Sequence, residues 1–253
     1  MRTPKTPEET FVFLKSRLSE FYEDFWSTHL SAVNHKTLTL GHGPEHDLTV
    51  AKFCLMLSDN QDIRELGWAA ALMHSMDRMM NPRPTKDVLS MLLGSTVDFK
   101  LRIFTSDYFT SQEKYLIKDA VLHHSERNKS EDSEVLLVLK DADRLANLAP
   151  EIIMRAGQFA PAIPSFNPLN PGLGPSGSFA NLEYAMDDLY YVLEWVMGEK
   201  FWLQPKEKWL DYSRANHWFR TEKAWPIAWR YAQTILKYIE EVRCESSWLL
   251  KVM

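Results

Sequence analysis

The segment GWAAALMHSMDRMM, residues 67–80, carries a nearly uninterrupted apolar run to a histidine, His74, and Asp77 follows three positions later. A helix that is apolar nearly all round is typical of the centre of a helical core. The sequence therefore predicts a central buried helix over Asp62–Met79. His74 is then either a hydrogen-bonded core residue or a metal ligand at the end of that helix.

Most of the remaining chain also has helical spacing. Two capping-box patterns, Thr6 with Glu9 and Thr110 with Glu113, predict helix starts. The first of these helices carries apolar side chains as far as Phe25. Further helices are expected over 43–57, up to His123-His124, and over 134–148, 181–196, 206–219 and 227–242. Strand-like alternation is missing from the sequence, so the predicted fold is all-α, with one domain over residues 1–253.

Composition limits the function classes. With 253 residues, 45% of them hydrophobic and 25% charged, the chain has the composition of an ordinary globular protein. Its net charge of −5 gives no general attraction to nucleic acid or to a membrane. Two distant cysteines and the lack of a signal-like or membrane-spanning stretch lead us to expect a cytoplasmic protein. A homo-oligomer is left open.

Residues 160–178, APAIPSFNPLNPGLGPSGS, are too rich in proline and glycine to form a regular element. The stretch GLGPSG at 172–177 matches the GxGxxG pattern, but the dinucleotide fingerprint needs a preceding strand and a following helix. We expect the 160–178 loop to border a binding pocket or to lack order, because structureless loops of this length are otherwise uncommon.

Histidines gather at the ends of the predicted helices, and two aspartates interrupt an apolar helix. The residues concerned are His42, His46, His74, His123, His124, Asp141 and Asp143. A buried carboxylate needs a compensating partner. The two aspartates either pair with Lys140 and Arg144 on a solvated face, or join imidazole nitrogens around a divalent transition metal.

The order of these motifs resembles the HD-domain superfamily of metal-dependent phosphohydrolases. GHGPEHDLTV at 41–50 is similar to the family's opening H-x-x-x-H-x-x-x-V, and AALMHSMDR at 70–78 to AALLHDIGR. AVLHHSE at 120–126 resembles I-x-x-H-S, and VLKDADRLANLAPEIIMR at 138–155 is similar without gaps to VLQDADRLDALGAIGIAR. The resemblance covers residues 38–158.

The resemblance implies an HD-domain-like helical bundle with additional N- and C-terminal helices, the latter over 179–253. It also implies hydrolysis of a small phosphate ester, a nucleotide in particular, with one divalent ion (Mn²⁺, Fe²⁺, Co²⁺, Ni²⁺ or Zn²⁺) held by His46, His74 and Asp143. His42, His123 or His124 is expected to give a proton to the leaving oxygen. The arginines considered for phosphate binding are Arg78, Arg127, Arg144 and Arg155, each of which could instead form a surface ion pair.

The sequence departs from the family at Ser75, where the family has an aspartate beside the histidine. Asp77 is the candidate replacement as a ligand and catalytic residue, because residues three apart share a helix face. It could equally cap the helix end or pair with Arg78. If the lost carboxylate abolishes catalysis, the alternative is an HD-fold module that binds a nucleotide or a protein partner.

Overall fold

A computed structural model describes residues 5–34, 43–80, 83–94, 106–149 and 182–252, together with Thr3 and Ile103. The predictions for His42, Arg155 and the 160–178 loop fall outside these residues. All regular structure in the described ranges is helical, which confirms the all-α prediction. The α-helices are α1 Pro7–Arg17, α2 Ser19–Asn34, α3 Pro44–Leu57, α4 Gln61–Ala71, α5 Lys86–Gly94, α6 Ser111–His123, α7 Glu134–Leu148, α8 Leu182–Met197, α9 Trp209–Asn216 and α10 Ala224–Val252. Short 3₁₀ helices cover Met76–Met79, Phe201–Leu203 and Lys206–Lys208.

Both predicted capping boxes are present. The Thr6 side chain accepts a hydrogen bond from the backbone of Glu9, whose carboxylate accepts one from the backbone of Thr6. Thr110 and Glu113 repeat this exchange at the start of α6. Each box satisfies two backbone N–H groups that have no partner inside the helix.

Two predicted helices are shorter than expected. The helix from Thr6 breaks at Leu18, where the backbone has φ −115° and ψ 40°. The helix predicted over Asp62–Met79 ends at Ala71, because bonds of the tighter i to i−3 type follow, including Met73 N–H to the Ala70 oxygen at 3.1 Å. Residues 72–75 consequently form a turn before the 3₁₀ helix.

The chain divides into two compact units, residues 1–146 with 220–223, and residues 147–219 with 224–253. In the first unit α4 packs against α1, α3 and α6, and the fully buried Trp68 meets Phe21 edge to face, with ring centroids 5.8 Å apart. In the second unit α8 packs against α9 and α10. The single domain over residues 1–253 stays a prediction. Within the described ranges, no helix has the length and apolar character needed to cross a membrane.

Candidate metal centre

His46 lies in the first turn of α3. Gly43 is the N-cap and Pro44 the first helical residue, so the direction in which the chain enters the helix is fixed. The backbone N–H of His46 donates to the Gly43 oxygen at 3.0 Å. The side chain is buried, as the core-facing side of this helix requires.

His74 lies in the turn that follows α4 and is also buried. Its Nδ1–H donates a hydrogen bond of 2.6 Å to the carbonyl oxygen of Ala71. A neutral imidazole carries one ring proton, so this bond leaves a lone pair on Nε2. A backbone carbonyl that holds Nδ1–H is a common way of orienting a metal-ligating histidine.

Asp143 lies on α7, and its neighbours on that helix, Ala142 and Leu145, are fully buried. Its side chain is 21% exposed. Its Oδ1 lies 3.2 Å from Nε2 of His46 and 3.7 Å from Nε2 of His74. The two Nε2 atoms are 3.3 Å apart.

These three residues form a cluster that could hold a metal ion: their candidate ligand atoms all lie within 4.8 Å of one another. Ligands bound about 2.1 Å from one cation lie roughly 3.0–3.6 Å apart, depending on geometry. The observed separations agree with that spacing to within a few tenths of an ångström. Two imidazole nitrogens and one carboxylate oxygen are also the donor types that divalent transition metals take.

Electrostatics at the cluster favour the forms that bind a cation. Burial lowers the pKa of His46 below its usual value, against the opposing effect of its hydrogen bond to the Asp143 carboxylate. For Asp143, burial acts to raise the pKa, but the hydrogen bond with His46 and the nearby His74 together hold it well below its ordinary range. A neutral imidazole and an ionised carboxylate are the states that metal ligands require.

Ser75 and Asp47 lie directly beside this cluster. The Ser75 hydroxyl donates a 2.8 Å hydrogen bond to Oδ1 of Asp47, and its Oγ is 3.3 Å from Nε2 of His74. Oδ2 of Asp47 is 3.1 Å from Nε2 of His29 on α2. Asp47 and His29 are not among the site residues predicted from the sequence, although the dipeptide His46-Asp47 places an acid in the first turn of the helix that carries a candidate ligand.

The two histidines at the end of α6 have different surroundings. His124 is buried, and its ring lies perpendicular to that of His74 with centroids 5.2 Å apart. Burial, with a smaller contribution from the nearby His74, lowers the pKa of His124 to about 4. His123 instead faces Asp119, with Nδ1 3.0 Å from its Oδ1. Of the pair, His124 is the residue next to the candidate metal centre.

Asp77 forms an ion pair with Arg83. Nε of Arg83 donates to Oδ2 of Asp77 at 2.6 Å, and the second guanidinium contact is closer still. The carboxylate of Asp77 is buried, and its Oδ1 makes no hydrogen bond with any residue that the structure describes. Asp77 does not belong to the three-residue cluster described above. Its predicted role as a ligand stays a prediction.

The arginines considered for phosphate binding lie in different environments. Arg144 is buried and donates to Oδ1 of Asp141 at 3.2 Å and to Asn128 at 2.9 Å. Arg127 is exposed and Arg78 half-buried. Lys140, considered from the sequence as a partner of Asp141 and Asp143, instead pairs with Asp132 at 2.6 Å.

Asp141 connects α7 to the backbone of residues 220 and 221. Its Oδ2 accepts hydrogen bonds from the backbone N–H groups of Arg220 and Thr221, at 2.9 and 2.7 Å. Asp141 also pairs with Arg144, but it is fully buried, so the expected solvated face is wrong for this residue; Asp143 faces His46 and His74. The two aspartates of the motif thus serve different purposes.

No protein-family model, curated protein or solved structure matches the chain.

Proposed function

We propose that the chain is an HD-type phosphohydrolase that uses one divalent transition-metal ion to cleave a phosphate ester, a nucleotide in particular. The observation that carries the proposal is the convergence of His46, His74 and Asp143. The residues come from α3, the turn after α4, and α7. They are the three positions to which the motif resemblance assigns metal binding.

Two nitrogen ligands and one carboxylate oxygen suit Mn²⁺, Fe²⁺, Co²⁺, Ni²⁺ or Zn²⁺ better than Ca²⁺ or Mg²⁺, which prefer oxygen ligands alone. When bound, such an ion supplies a Lewis acid for a phosphoryl oxygen and lowers the pKa of a coordinated water. The chain's own residues would hold the ion in a buried setting, with one face, at Asp143, open to solvent.

His124 is the best-placed candidate for proton transfer to the leaving oxygen. Its Nδ1–H donates to the Val121 oxygen at 2.8 Å, so Nε2 is the atom that would take up and release the proton. The free site keeps His124 neutral at pH 7. A bound phosphate dianion favours the protonated imidazole, because an opposite charge nearby raises the pKa of a histidine.

The alternative is a module that binds a nucleotide or a protein without hydrolysis. The observation that favours it is Ser75, which puts a neutral hydroxyl where the family has a carboxylate. Binding and hydrolysis can be separated experimentally, because a binding module would retain a ligand-dependent stability shift without turnover.

The test is metal analysis of protein purified without chelators, followed by assays on nucleotides and simple phosphoesters. We expect about one ion per chain and metal-dependent hydrolysis, both lost in His74→Ala and Asp143→Asn. His217→Ala, in the second compact unit, is the matched histidine control and should retain both. Metal binding without turnover of any phosphoester would favour the binding module, and a chain that binds no divalent ion would overturn the proposal.

A further inference from the structure

Ser75 presents an electron-rich atom to the candidate metal centre. A serine hydroxyl has one hydrogen and two lone pairs. Ser75 donates its hydrogen to Oδ1 of Asp47 at 2.8 Å. Its lone pairs therefore remain for the other close contact of Oγ, which is Nε2 of His74 at 3.3 Å.

Nδ1 of His74 is the ring nitrogen that donates a proton, to the Ala71 oxygen at 2.6 Å. In the neutral imidazole that a metal ligand requires, Nε2 would therefore carry a lone pair, which would face the lone pairs of Ser75 Oγ across 3.3 Å. That is the spacing of adjacent ligands around one cation, and it repeats the separation between the Nε2 atoms of His46 and His74.

Asp47 is held so that it can orient the Ser75 hydroxyl. It is fully buried, a position in which a carboxylate is unfavourable unless both oxygens have partners. Ser75 occupies Oδ1 and His29 occupies Oδ2. The ring of His29 is in turn fixed by a 2.9 Å contact between its Nδ1 and the Phe25 oxygen.

We propose that Oγ of Ser75 is the fourth protein ligand of the cation held by His46, His74 and Asp143, with Asp47 as its positioning residue. This inference rests on the proposed function, since it needs a cation at that centre. The family places a negative charge at position 75 itself. This chain places the charge on Asp47, one hydrogen bond further from the cation, and binds through a hydroxyl.

The direct test replaces Ser75 with a ligand that has its own spectroscopic signature. In Co²⁺-loaded protein, Ser75→Cys should add a sulfur-to-cobalt charge-transfer band in the near ultraviolet, because a thiolate at a ligand position binds the ion. Ser130→Cys, on the exposed surface, is the matched control and should add none. Cys54 and Cys244 are present in every sample, so they do not contribute to the difference.

Affinity measurements test the role of Asp47. Ser75→Ala and Asp47→Asn should each weaken Co²⁺ binding by about 10–100-fold, the usual effect of changes in the groups that support a metal site. Asp47→Asn should also shift the visible cobalt absorption, which a merely structural role would not do. Circular dichroism of each variant verifies that it is folded.

The outcomes distinguish this inference from the function on which it rests. If the parent protein binds Co²⁺ but Ser75→Cys adds no band and Ser75→Ala binds as tightly as the parent, the inference is overturned and the metal-dependent function stands. If the parent protein binds no Co²⁺, both proposals are overturned.

Discussion

Nε2 of His46 lies 3.3 Å from Nε2 of His74, although the two residues are 28 positions apart in the chain. A cation bound by both nitrogens and by Asp143 would join α3, the turn after α4, and α7 only in the folded chain. We therefore expect a divalent transition metal at 100 times its dissociation constant to raise the free energy of unfolding by about 2.7 kcal/mol. Urea unfolding with and without metal measures this, and His74→Ala should show no such increase. An equal increase in the variant would place the binding elsewhere.

The metal-free protein should lose stability on acidification between pH 6.5 and about 4. Burial lowers the pKa of His124 from 6.5 to about 4, so in this range the unfolded chain binds more protons than the folded one. The contribution is fully present above pH 6.5 and amounts to roughly 3 kcal/mol at most. Chelator-treated His124→Gln should have a flatter dependence of unfolding free energy on pH. Identical slopes for parent and variant would contradict this.

The features that could be predicted from the sequence are those that local pattern determines. Helix α7 matches the predicted 134–148, and both capping boxes form, since each depends on residues only three apart. His46, His74 and Asp143 could be selected because their order resembles a known motif set. Their convergence is a property of packing that the sequence alone does not display.

The features that the sequence did not predict depend on contacts made by side chains outside the regular helical pattern. The end of α4 at Ala71 accompanies a side-chain bond from His74 to a backbone oxygen, which helical periodicity does not register. The contact of Asp47 with Ser75 joins residues 28 positions apart, and that with His29 joins residues 18 apart. An acid in the first turn of a helix is ordinarily read as a favourable charge at the helix N-terminus.

Asp77 gives a prediction that separates an ion pair from a metal ligand. Because Oδ2 of Asp77 is taken by Arg83, we expect Asp77→Ala to keep the metal content of the parent protein. Arg83→Ala should destabilise the fold by about 1 kcal/mol, since its side chain is 58% exposed and water partly replaces it. Metal analysis and urea unfolding of both variants provide the measurements. If Asp77→Ala loses its metal and Arg83→Ala keeps it, the result would identify Asp77 as a ligand.

Gly67 controls how closely α3 and α4 approach each other. A Cβ atom at position 67 would lie 3.2 Å from Cβ of Cys54 and 3.5 Å from Cγ1 of Val138. Gly67→Ala should therefore destabilise the protein by about 1 kcal/mol, because overpacking outweighs the better helix propensity of alanine. Metal affinity should fall too, since α3 carries His46. In the Gly67→Ala background, adding Cys54→Gly should recover the metal affinity, because it removes the Cβ atom that clashes. Adding Cys54→Ala should not, because alanine keeps that Cβ. If both second changes recover the affinity, the clash is with the sulfur instead.

Restoring the family residue at position 75 should destabilise the metal-free protein. Ser75→Asp places a second carboxylate within hydrogen-bond distance of the fully buried Asp47, and the repulsion should cost about 3 kcal/mol in urea unfolding. A divalent ion should offset most of this loss, because the new carboxylate can bind it. The exchange variant Asp47→Ser/Ser75→Asp removes this repulsion but takes the carboxylate away from His29, so its stability should lie between those of Ser75→Asp and the parent protein. A metal-free Ser75→Asp variant as stable as the parent would contradict the pairing of Asp47 with position 75.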